Sequence, residues 1–154
     1  MRNDLVESSA DGLTTMLSYK THAKEKSMYN TPPCFAIYII KLVMDWIENH
    51  GGLAGIEKIN DDKAKTIYDA IDGSNGYYRG TAAVKDRSKM NVTFRLPSEE
   101  LEEKFINDAK KAGFIGLKGH RSVGGCRASI YNAMSLDGVV ELTRFMEKFA
   151  KENN

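Results

Sequence analysis

Cysteine is scarce in this 154-residue chain, which carries only Cys34 and Cys126. Their separation matches no metal-ligand spacing and two are too few for a disulfide framework, so the sequence suits a reducing compartment and points to the cytoplasm. Charge of one sign is scarce too: 22 Lys and Arg against 21 Asp and Glu leave a formal +1. That balance gives no general attraction for nucleic acid or an anionic membrane, so any anion held here must be held by a local group of residues. Long apolar runs are missing. The most apolar stretch, Cys34 to Ile47, is broken by Lys41 and Asp45 and is too short to cross a bilayer. The polar stretch from Met1 to Lys26 has no apolar block before a small-residue cleavage site, so it does not read as a secretion signal. There is no internal repeat and no low-complexity tract.

What is present is an ordinary soluble composition, 42% apolar, 9% aromatic and 28% charged. The length allows one well-buried domain, or a compact domain plus part of another, but is short for a complete two-domain enzyme. Residues 1–28 are mostly polar, and their apolar cluster Leu13 to Leu17 fits either a short strand or a turn of helix. From Pro33 to His50, Phe35, Ile39, Leu42, Val43, Trp46 and Ile47 recur at three and four, and Gly51-Gly52 stops the run, which predicts a helix with a glycine cap. A second helix is predicted from Leu53 to Asp72, long enough to link two lobes, ending in Gly73-Ser74-Asn75-Gly76. Met90 to Leu96 alternates as a strand with one buried face and is stopped by Pro97. Asn91-Val92-Thr93 inside it matches a glycosylation acceptor by chance. Ser98 can cap a helix that buries Leu101, Phe105 and Ala109 and closes at Gly113. Strands are expected at Phe114–Leu117 and Arg127–Tyr131, and a last helix from Ser135 or Leu136. The fold class is α/β, with a small α+β lobe of strands packed on helices from residue 61 to 154; residues 1–60 belong to something larger.

Three places could do chemistry. Asn30-Thr31-Pro32-Pro33 opens the first strong helix, where backbone N–H groups and the helix dipole attract an anion. The prolines supply no N–H, so an anion would depend on the Asn30 amide, the Thr31 hydroxyl and N–H, and the N–H of Cys34; alternatively Thr31 is only an N-cap. Gly119-His120-Arg121-Ser122-Val123-Gly124-Gly125 joins adjacent histidine and arginine to three glycines that let backbone approach a ligand. Arg121 can fork across two oxygens and His120 can donate a further bond, which suits a phosphate or carboxylate; the alternative is a solvated turn. Arg127 enters a strand, where an unpaired guanidinium is costly, so it needs an anionic partner, either an internal carboxylate or a ligand's. His22 and His50 suggest neither metal nor nucleophile, and Lys118 reads as a solvated lysine with nothing nearby to lower its pKa.

In this order the segments Ser27 to Pro33, Gly51-Gly52-Leu53, Arg87 to Val92, and Leu117 to Arg121 through Gly124 to Met134 resemble phosphoserine aminotransferases, and the match covers almost the whole chain. The resemblance implies the C-terminal part of a fold-type I, pyridoxal 5'-phosphate-dependent transferase: residues 1–60 the end of the large cofactor-binding domain, 61–154 the C-terminal small domain. It implies a homodimer exchanging an amino group between 3-phosphohydroxypyruvate with glutamate and phosphoserine with 2-oxoglutarate, in serine biosynthesis. By the family's pattern Asn30 and Thr31 contact the phosphate of the cofactor in the neighbouring subunit, His120 and Arg121 grip the phosphate of the substrate, also across the dimer interface, and Arg127 pairs with its α-carboxylate. Family members are well over twice as long, and their cofactor lysine, ring-stacking aromatic and ring-nitrogen aspartate lie upstream of this chain's start, so the resemblance assigns no catalytic residue here and implies an inactive isolated chain. A competing reading is a non-catalytic module binding a phosphorylated small metabolite through His120, Arg121 and Arg127. A nucleic-acid module is disfavoured by the near-neutral charge and the absence of a basic stripe.

Overall fold

The computed structural model describes residues 1–153, which divide into two compact units, residues 1–46 and 47–153. The first contains helix α1 (Asn3–Glu7), a 3-10 turn (Thr15–Leu17), α2 (Tyr19–Lys24) and most of α3 (Cys34–Asn49). The cluster Leu13 to Leu17 therefore resolves as helical turn, not strand. Ser18 caps α2, its hydroxyl accepting the Thr21 N–H at 3.4 Å. Helix α3 forms where the three-and-four spacing predicts it, with a Lys41–Asp45 pair at 2.5 Å along one side. It stops at Gly51, whose φ of +87° is a left-handed conformation that costs glycine no Cβ clash. None of residues 1–46 is buried: Phe35 is 77% and Ile40 58% exposed. A helix so rich in apolar residues has no covered face within its own unit.

The second unit has a true core. Helix α4 (Gly52–Asp72) is followed by three antiparallel strands in the order β1 (Arg79–Gly80), β2 (Asn91–Arg95) and β3 (Cys126–Ser129), with α5 (Glu99–Lys111) between β2 and β3 and α6 (Leu136–Asn153) last. β2 pairs with β3 so that Asn91 faces Ser129, Val92 faces Ala128, Thr93 faces Arg127 and Phe94 faces Cys126. Period-two alternation sends Val92, Phe94, Cys126 and Ala128 into the core and leaves Thr93, Arg95, Arg127 and Ser129 on the other face. Helices α4, α5 and α6 contribute Ile67, Ile71, Phe105, Ala109, Val139, Met146 and Phe149. Phe105 is its centre, meeting Phe94 at 5.9 Å, Tyr78 at 5.9 Å and Phe149 at 5.2 Å edge to face. Ser98 caps α5 by accepting the Leu101 N–H at 3.3 Å.

Two strand expectations need correction. Residues 114–117 form no strand: Gly113 and Gly116 have φ of +95° and +80°, which turn the chain away from β3, so that only Lys118 bridges to Cys126. β3 ends at Ser129 because Lys63 caps the carbonyls that follow it. The Nζ of this wholly buried lysine donates to Ile130 O at 3.0 Å, Tyr131 O at 2.8 Å and Asn132 O at 3.4 Å.

Candidate functional site

The loop 119–125 leads directly into β3. Its base is closed by the Gly119 N–H donating to Gly125 O at 2.8 Å, and its turn by the Val123 and Gly124 N–H groups, both donating to His120 O at 3.0 and 2.8 Å. A Cβ on Gly119 would lie 2.0 Å from Gly124 O, so only glycine fits that crossing. His120 projects from the turn. Its Nδ1 accepts the Ser122 N–H at 3.3 Å and lies 2.7 Å from Ser122 Oγ, which leaves Nε2 to carry the proton as the outward donor. Arg121 beside it is exposed and makes no side-chain hydrogen bond or ion pair among the described residues.

Arg127 lies in β3, its N–H donating to Leu117 O at 2.8 Å. Its Nε is buried without a hydrogen-bond partner, and the guanidinium forms no ion pair among the described residues. No carboxylate among the described residues answers it. An unmet buried donor costs about 1–3 kcal/mol, which an anion brought by a ligand would offset. Arg127 and Ser129 line a cleft of about 400 Å³ whose other walls, including Phe114, Ile115, Met134 and Leu142, are mostly apolar. A second cleft of about 410 Å³, lined by Asp69, Tyr77, Glu147 and Lys151 among others, holds none of the candidate site residues.

Asn30 and Thr31 belong to the other unit. Both are exposed and their side chains make no hydrogen bond among the described residues. Thr31 is not an N-cap, because α3 begins only at Cys34. The Cys34 N–H is not available to an anion either: it donates to Pro32 O at 2.8 Å. The donors left are the Asn30 amide and the Thr31 hydroxyl and N–H, a set that fits the phosphate end of a cofactor and offers nothing for its reactive carbon. Lys118 is exposed. Cys126 is inert, its thiol pushed up to about 12 by burial, with the Glu102 charge adding to the rise. Among the described residues there is no cluster of His, Cys, Asp and Glu that could hold a metal, and no helix long and apolar enough to cross a membrane.

Three contributors escaped the sequence reading: Ser122, which sets the His120 tautomer; Arg95, which donates to Val123 O at 2.8 Å; and Lys63 at the end of β3. Only Arg95 left a trace, as a charged residue on the outward phase of an alternating strand.

Comparison with known proteins gives this chain a family. The class-V aminotransferase family model matches residues 8–142, and the chain belongs to that family. Within it, the chain is 55% identical over 151 residues to the phosphoserine aminotransferase of Geobacillus kaustophilus, covering 98% of this chain and 42% of that protein. It is 49% identical over 153 residues to the phosphoserine aminotransferase of Bacillus subtilis, covering 99% and 43%. The solved phosphoserine aminotransferase of Bacillus circulans subsp. alkalophilus superposes with a TM-score of 0.93 at 53% identity, over 100% of this chain and 43% of that one. A PLP-bound phosphoserine aminotransferase from Trichomonas vaginalis gives 0.83 at 38% identity, over 96% and 42%. The chain thus spans about 42% of the length of the curated relatives it matches, and its α/β fold class is the one expected from sequence.

Proposed function

We propose that this chain is the C-terminal, substrate-gripping part of a pyridoxal-phosphate-dependent phosphoserine aminotransferase, working in serine biosynthesis in the cytoplasm. The observation that carries the reading is Arg127, whose buried Nε lacks a partner on the strand that follows the loop presenting His120 and Arg121. A phosphoamino acid has two anionic ends, and guanidinium groups match both. Arg127 takes the α-carboxylate. The Nε2–H of His120 and the fork of Arg121 take the phosphate.

Residues 1–60 are then the end of the large cofactor-binding domain and 61–154 the C-terminal small domain. The uncovered apolar surface of α3 supports this, since such a helix belongs inside a larger core. Asn30 and Thr31 reach the phosphate of the cofactor across a homodimer interface. Bound there, pyridoxal phosphate supplies the electron sink for the chemistry at the amino-bearing carbon. This chain's residues bind and orient: they fix both ends of the substrate so that its central carbon is held in one place. In the family the lysine that carries the cofactor lies upstream of the matched segment, so no residue of this segment is assigned a catalytic role. Its ligands are small phosphorylated amino and keto acids, not nucleic acid or membrane.

The test is a pair of variants in an active enzyme carrying this segment. Arg127→Ala should lower kcat/KM for every amino-acid substrate, and Arg121→Ala mainly for phosphorylated ones. Equal losses for both classes would overturn the assignment of Arg121. Tight phosphoserine binding by the monomeric chain would favour the non-catalytic metabolite-binding module instead.

A further inference from the structure

We infer that Arg95, clamped by Glu102, is the positioning residue of the loop 119–125 and sets the backbone from which His120 and Arg121 reach their anion. The inference rests on the anion-gripping reading of that loop. Phe94 faces Cys126 across the β2–β3 ladder, so the next residue, Arg95, comes alongside Gly125 at the loop's end. Its Nη1 donates to Val123 O at 2.8 Å. Its Nε forms an ion pair with Glu102 Oε1 at 2.7 Å, while Nη2 lies 3.9 Å from Glu99. Glu102, from the first turn of α5, has a side chain only 8% exposed and also accepts the Leu96 N–H at 3.3 Å. The carboxylate is therefore fixed from two sides, and it fixes the guanidinium in turn.

The loop is shaped to this arginine. A Cβ on Gly125 would lie 2.6 Å from Arg95 Cδ and 3.0 Å from Phe94 O, and one on Gly124 would lie 3.2 Å from Arg95 Nη1. Both glycines have φ of +70°. Among the described residues no other side chain outside the loop holds the turn. Val123, its large apolar side chain, is 71% exposed, and the other hydrogen bonds of residues 120–124 stay within the loop. Burial cannot hold it, so the Arg95–Val123 bond decides whether the turn has one conformation or many. A loop ordered before binding spares the ligand the entropy of ordering it. Because Glu102 neutralises Arg95, the contribution is geometric and not attraction of the anion.

Backbone 15N relaxation of the 154-residue chain tests this, combined with titration of inorganic phosphate read at the amides of 120–125. In Arg95→Gln and Glu102→Gln, amides 120–124 should become mobile on the ps–ns scale while β2 and α5 stay ordered. The phosphate midpoint should rise roughly tenfold, the loss of one hydrogen bond to a charged group. Arg95→Lys, which keeps the charge but not the fork, should restore order only in part. Arg121→Gln should abolish the phosphate response and leave the loop ordered. An unchanged loop in both Arg95→Gln and Glu102→Gln overturns the inference, as does a loosened loop with an unchanged phosphate response. A wild-type loop that ignores phosphate sinks the anion reading alone, and loop order then still decides whether Arg95 positions it.

Discussion

Replacing Lys63 by Met removes an ammonium and keeps most of the side chain's bulk, which isolates what the charge does at the end of β3. Lys63 is 0% exposed and has no carboxylate partner among the described residues; its Nζ is satisfied by the carbonyls of Ile130, Tyr131 and Asn132. Tyr131 O keeps a second donor, the Met134 N–H at 2.8 Å, so the substitution chiefly orphans the buried Ile130 carbonyl and weakens Asn132. Hydrogen bonds to a charged group contribute about 1.5–3 kcal/mol each, and desolvating the ammonium works against them. The net cost of Lys63→Met is about 2–3 kcal/mol, a fall in Tm of roughly 10 °C for a unit of this size. Urea unfolding read by the near-ultraviolet signal should show the midpoint falling at constant slope. The pH dependence carries a second signature. Burial lowers the pKa of Lys63, so between its folded value and the usual 10.5 the unfolded chain holds more protons, and this group's contribution to stability rises with pH. The gap between wild type and Lys63→Met should therefore widen on going alkaline. A variant within about 0.5 kcal/mol of wild type at every pH would refute the reasoning, since surface-like substitutions have effects of that size.

Other outcomes follow from single contacts. Asp72 meets Arg87 in a two-pronged pair at 2.6 and 2.7 Å, which holds the Asp72 carboxyl below its usual value of 3.8. That stability is present above 3.8 and lost as pH falls through the lower folded value, so Asp72→Asn should cost about 0.5–1 kcal/mol at pH 7 in urea unfolding, discounted for exposure, and less in acid. Ser98→Ala removes the cap on α5 and should cost about 1 kcal/mol by the same assay, with Ser98→Asp close to wild type. The exposed apolar surface of α3, Phe35 at 77% and Ile40 at 58%, should make the isolated chain self-associate in sedimentation and bind hydrophobic dyes. Phe35→Ser with Ile40→Ser should reduce both, and a dye-excluding wild-type monomer would count against the fragment reading.

How far the sequence could be read depended on the range of the forces involved. Helix α3, strand β2 and the Ser98 cap of α5 were legible because their signals are local: spacing, alternation, and a hydroxyl three residues from its N–H. Residues 114–117 misled because Phe114, Ile115 and Leu117 look like a buried strand, yet Ile115 is 81% exposed and flanking glycines bend the chain out of the ladder. The residues of the candidate site stood out by type and glycine framing. What holds them did not. Arg95 and Val123 are 28 positions apart, and Lys63 and Ile130 are 67; on a one-dimensional reading each is an ordinary solvated cation. That no carboxylate among the described residues meets Arg127 could be learned only from the fold.

If Arg127, His120 and Arg121 grip an anionic substrate and no lysine of this segment carries the cofactor, its lysines should react with pyridoxal phosphate only nonspecifically. The most direct test is to incubate the purified chain with pyridoxal phosphate, reduce with borohydride, and map labelled lysines by mass spectrometry, with and without phosphoserine added first. Only scattered, substoichiometric labelling of exposed lysines, indifferent to phosphoserine, is expected. One lysine, such as Lys118, labelled to completion and spared by phosphoserine would contradict it.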